Sequence, residues 1–218
     1  MADPRWRPIA ALLFLFLGGT NAVLALLRPE AGEKPGLHFA VAGLIRVLAL
    51  IAISVAALRI ATASPRRTWM PDAGFWAYLL MGLAGLAAAF VGALLGAPYG
   101  NAVRIPVTEV VGAAVGALLA VWGVALAVER PLALSPAPRF RNLAAWLPHL
   151  LLWSLLLVVP IACLHAWLSL RLVQLSGSGS FWPLALADAL ASSLLVLLML
   201  ALQLAAYRRV ARRTGAPR

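Results

Sequence analysis

The amino-acid sequence predicts an all-α protein, a polytopic membrane bundle of six transmembrane helices with both termini in the cytoplasm. Three observations predict it. Of the 218 residues, 63% are apolar and 11% charged, with a mean hydropathy of +0.94, whereas a soluble domain has about 45–50% and about 25%. The apolar residues come in runs of the length a bilayer demands, about 20 residues each. The basic residues lie between those runs and are shared unequally between alternate connections, the bias that sets orientation in a membrane.

The six runs lie at about Pro8–Leu27, His38–Leu58, Phe75–Leu95, Pro106–Val128, Leu143–Leu170 and Pro183–Tyr207. The first competes with a cleaved signal peptide, because Arg5 and Arg7 precede it and Gly18-Gly19-Thr20-Asn21-Ala22 resembles a small-residue cleavage site. Its apolar run continues through Val23–Leu27, which favours a span. Helix breakers mark every connection: Arg28-Pro29 to Gly36, Ser64-Pro65, Ala97 to Asn101, Pro131 to Pro138, and Ser176 to Ser180. None is long enough for a soluble domain, so residues 1–218 form one membrane domain. Trp6, Trp76 and Trp146 recur every 70 residues, as three tandem hairpins would place them. Interface tryptophans give the ordinary alternative.

Orientation follows from the 18 basic side chains. Arg5, Arg7, Arg59, Arg66, Arg67, Arg130, Arg139, Arg141 and the five arginines of the tail share one side. Arg28, Lys34, Arg104 and Arg171 share the other, and Arg46 falls inside a helix. The richer side is expected in the cytoplasm, facing anionic lipid head groups. No basic surface remains to track a nucleic-acid backbone. An arginine-dominated, Ala/Leu/Gly-rich chain suits a bacterial inner membrane.

Intramembrane charge is the strongest functional pointer. Arg46, Glu109 and Asp188 lie within predicted spans, where ionisable groups face the bundle interior and pair. At 1.5 Å per residue they sit about 12, 5 and 8 Å from the non-cytoplasmic ends of their helices, so one polar site in the outer half is expected, with His165 at that level. The plainer reading leaves the carboxylates at helix N-termini and lets Arg46 snorkel.

Two helices carry small-residue stripes that allow close backbone approach. Gly112 and Gly116 on the fourth helix face Gly92 and Gly96 on the third, and Glu109 is expected at this seam. The sixth helix aligns Asp188, Ser192, Met199 and Gln203, as a hydrated path or a buried face. In the fifth, Pro160 removes a backbone hydrogen bond and should kink the helix. His149 and His165, sixteen residues apart, fall about 160° apart on an ideal helix.

The lone Cys163 permits no internal disulfide, and the absence of clustered soft ligands argues against a metal. No cofactor is expected: a haem would need axial ligands on different helices, and only His38 with His165 share a level. Nucleotide-binding and hydrolase motifs are absent. Three functions remain: a transporter or permease-type component binding a polar or charged solute near Arg46, Glu109, Asp188 and His165, with no assigned catalytic residue; a non-catalytic subunit or assembly factor with protein partners; or a membrane enzyme acting on a lipid-borne substrate.

Overall fold

A computed structural model describes residues 6–27, 36–64, 66–129, 143–175 and 178–214, all helical or connecting with no strand among them. The helices are α1 (Trp6–Leu26), α2 (Leu37–Ala61), α3 (Ala73–Gly96), α4 (Asn101–Val128), α5 (Leu147–Gln174) and α6 (Phe181–Thr214). Each of the six is long and apolar enough to cross a membrane. Large apolar side chains such as Leu15, Leu80 and Phe90 lie on the outside. In water such a surface would be a liability; against lipid it is the solvated one.

Two ends can be distinguished. At the α3–α4 end lie the starts of α2, α4 and α6, and at the α2–α3 end the starts of α3 and α5. The core gathers toward the α2–α3 end, where Leu13, Val55, Leu58, Val124, Ala127, Leu200 and Leu204 interlock. There α2 is buried on every face from Ile53 to Arg59, whereas Leu37, Val41, Leu44 and Ile45 in its first half are exposed. The end of α2 is packed on all sides and its beginning is not.

Helix ends account for the boundary differences. Asp72 caps α3, accepting from the Gly74 and Phe75 amides at 3.0 and 3.1 Å, which starts that helix two residues before Phe75. Gly100, at φ 75°, turns the chain so that α4 starts at Asn101 and carries Pro106 inside it. The far end of α6 runs past Tyr207 to Thr214, where cationic side chains favour a helix C-terminus. Charge at a helix end is compatible with helix, so hydropathy alone ends α6 too early.

The α3–α4 hairpin is the tightest pair. A Cβ on Gly96 would lie 2.5 Å from the Arg104 Cα, and one on Gly92 would lie 3.0 Å from the Thr108 Cα. Gly112 faces Ala89 at ordinary contact, but a Cβ on Gly116 would meet nothing within 4 Å. The contact therefore runs along Arg104, Thr108 and Val111, and Gly116 stands outside it. Glu109, one residue on from Thr108, is turned out of the seam toward α5.

Pro160 acts in an unforeseen way. It cannot donate to the Leu156 carbonyl, and its ring would crowd that oxygen. The chain answers with a π-turn over Ser154–Val158, closed by the Val159 amide on the Ser154 carbonyl. A π-turn takes one extra residue, so everything beyond it lags by about 100° relative to an α-helix. His149 and His165 therefore do not point to opposite sides: both lie against α6.

Candidate functional site

The polar site forms where α1, α5 and α6 meet near the α3–α4 end. Asp188, eight residues into α6, is completely buried. A carboxylate so placed needs donors, and α1 and α5 supply them. His165 Nδ1 lies 2.6 Å from Oδ1, Ser169 Oγ donates to Oδ1 at 3.3 Å, and Asn21 Nδ2 donates to Oδ2 at 2.6 Å. Asn21 Nδ2 is also 2.8 Å from Ser192 Oγ, which in turn donates to the Asp188 backbone carbonyl at 2.7 Å. Asn21 Oδ1 is buried without a hydrogen-bond partner among the described residues.

Arg46 completes the site from α2. With Asn21, Ser169 and Asp188 it lines a cavity of about 190 Å³. Arg46 acts electrostatically on Asp188, but among the described residues the two do not close to ion-pair distance. The cavity holds them apart. Glu109, half-buried on α4, is within Coulombic reach of His165 and Cys163 on α5 and does not line the cavity. The structure thus brings Arg46, His165 and Asp188 together, with Glu109 behind His165.

Geometry limits the chemistry. Ser192 Oγ and Asp188 Oδ1 both approach the same imidazole nitrogen, at 3.0 and 2.6 Å. A Ser–His–Asp relay needs its serine and carboxylate on opposite ring nitrogens, so these three cannot form one. Among the described residues no three His, Cys, Asp or Glu side chains come together to hold a metal ion. What remains is a buried polar cluster around Asp188 with a guanidinium facing it across a cavity.

The stripe on α6 divides along its length. Asp188 and Ser192 belong to the site, Met199 is partly exposed, and Gln203 accepts from the Tyr78 hydroxyl at 3.1 Å as a packing contact. Sequence reasoning missed Asn21, which it placed in a cleavage-like string. An amide inside an apolar span was the signal, since lipid offers it no partner.

A second charged cluster lies at the α2–α3 end. The end of α2 wraps through Ala63 at φ 49°, with the Ser64 amide bonded to the Arg59 carbonyl. Arg59 is 2% exposed; it meets Asp72 Oδ1 at 2.6 Å and donates to the Ala127, Arg67 and Met70 carbonyls. Arg66 meets Asp72 Oδ2 at 2.7 Å and donates twice to the Glu129 carbonyl. Two arginines expected at lipid head groups are thus bound within the protein. Burial works against the Asp72 carboxylate; hydrogen bonds from Arg66, the Phe75 amide and Arg59 outweigh it and hold its pKa below the ordinary value.

Comparison of the chain with protein-family models, curated proteins and solved structures found no match, so the site must be interpreted from its own geometry.

Proposed function

We propose that this chain is a small multi-pass protein of a bacterial inner membrane, with both termini in the cytoplasm. In this reading it is a transporter or permease-type component that takes a small polar or charged solute into the Arg46–Asp188 cavity from the outer side. One observation carries it: Arg46 lines one cavity with Asn21, Ser169 and Asp188 and does not close on the carboxylate it faces. In an apolar surrounding such groups are costly unless matched. A small solute with an anionic group matches Arg46. Drug-sized pockets hold about 300–1,000 Å³, so about 190 Å³ restricts the solute to a small one.

The test is solute-dependent stabilisation of purified protein in nanodiscs, followed by flux in proteoliposomes. Small zwitterions and anions should raise the melting temperature of the wild type, and Arg46→Gln should abolish the rise. Equal behaviour of wild type and variant toward every class would overturn the reading. Orientation is tested by reporters at Asn101 and Ser178, expected outside, and at Thr68 and Thr214, expected inside.

A second reading rests on Asp188 already receiving three side-chain donors. Here the cluster joins α1, α5 and α6, and the chain is a non-catalytic subunit or assembly factor. Asp188→Asn would then lower stability while no solute stabilised the wild type.

A further inference from the structure

The larger cavity, about 420 Å³, lies at the opposite end of the bundle, between the start of α5 and the last turns of α6. Its rim is formed by Trp146, His149, Arg208, Arg209 and Arg212, and among the described residues no carboxylate lines it. No carboxylate of the described residues lies within ion-pair distance of these three arginines. Arg59 and Arg66, at the same end, are paired with Asp72 and backbone carbonyls, so the contrast is local.

The rim is ordered. The Arg209 guanidinium stacks over the Trp146 ring at 4.0 Å from its centroid, which fixes its plane and leaves its N–H edge free for an oxyanion. Arg208 donates to the Ala61 carbonyl at 2.7 Å, setting the rim level with the last turn of α2. Arg209 and Arg212 are three residues apart on one helix face.

Below the rim the lining changes character. Trp146 to Trp153 on α5 and Arg209 to Leu202 on α6 each run seven residues into the bundle, about 10 Å. Over that depth the walls are Leu150, Trp153, Leu202, Ala205 and Ala206, and Trp153 is half exposed on the lipid side. A cationic mouth above an apolar trough open to the bilayer matches a charged head group with an attached acyl chain. Free phosphate would use only the mouth.

We propose that this groove is a binding site for one anionic phospholipid, its phosphate held by Arg209 and Arg212 and an acyl chain laid against Leu150, Trp153 and Leu202. The site lies away from the Arg46–Asp188 cavity and does not depend on the solute reading.

Native mass spectrometry of the full chain, delipidated and titrated with phosphatidylglycerol or phosphatidylcholine of identical acyl chains, tests it. The wild type should retain phosphatidylglycerol preferentially. R209Q/R212Q should lower that preference roughly tenfold or more, and R212Q, which leaves the Trp146 stack intact, should lower it by a smaller factor. R104Q/R171Q, at the other end, should leave it unchanged. Equal retention of the two lipids, undiminished preference in both groove variants, or an equal loss in R104Q/R171Q would overturn the site. Displacement of the lipid by millimolar glycerol phosphate would overturn the lipid as occupant, because the trough would then contribute nothing.

Discussion

The bundle buries charge twice, and the two solutions differ. At the α2–α3 end Asp72 bridges Arg59 and Arg66 at 2.6 and 2.7 Å, and further guanidinium hydrogens meet backbone carbonyls at the end of α4 and in the α2–α3 connection. At the α3–α4 end Asp188 is met by Asn21, His165 and Ser169, and Arg46 stays across a cavity from it. The first arrangement is complete in itself and fastens the α2–α3 connection to α4. The second leaves Arg46 facing a cavity without an ion-pair partner among the described residues, and the half of α2 beside it is loosely packed. Saturation separates a fastening from a site.

Asp72→Asn should give the largest effect, about 3–5 kcal/mol of lost stability, because two buried guanidinium groups lose their counter-charge. Denaturant unfolding in micelles measures it, and a loss below that of any Asp188 substitution would reverse the contrast. The same carboxylate predicts acid lability. Its folded-state pKa is depressed, so its stabilisation is full above the unfolded-state value of about 3.9. That contribution fades as pH falls through the lower folded-state value, and Asp72→Asn should flatten this limb of the stability–pH curve.

Gly74→Ala comes next, at about 3 kcal/mol, the upper end for overpacking. Its Cβ would lie 2.5 Å from the Leu126 carbonyl oxygen and 3.0 Å from an Arg66 nitrogen, wedging the fastening open. A wild-type melting temperature would mean that this end yields easily. Asn21→Ala should cost less, about 2 kcal/mol, by leaving Asp188 Oδ2 without its donor. If it cost nothing, the Asp188 cluster would already be hydrated.

Smallest of all should be the coupling between Arg46 and Asp188. A double-mutant cycle with leucine at each position should give about 0.5 kcal/mol, the low end for interacting residues, since the charges face each other without touching. A coupling as large as that of Arg59 with Asp72 would show the cavity closing in the membrane, and the two regions would then be alike.

Much of this arrangement is legible in the sequence. Six apolar runs give six helices, because length and hydropathy are local properties. Arg46, His165 and Asp188 share a level because depth follows from counting residues along a helix of fixed rise. What escapes is angular and long-range. The π-turn at Ser154–Val158 shifts the facing of His165, Gly116 falls outside a seam that its spacing suggests, and Glu109 turns to α5. Arg59 and Arg66 look like head-group ligands until Asp72, an ordinary helix cap by sequence, is found between them.

The π-turn has one further consequence, for which residues α5 can lose. Elsewhere along this helix, deleting one residue would swing all that follows by about 100° and take either His149 or His165 away from α6. Within Ser154–Val158 the facing is kept instead, because the turn already holds the surplus residue: removing Leu156, exposed on the outer surface, would leave both flanks against α6, at the cost of bringing the Pro160 ring against the carbonyl four residues before it. A single-residue deletion, ordinarily among the most damaging changes a membrane helix can suffer, should do least harm at this one stretch of α5, and a deletion scan along 147–174 would find its smallest loss there.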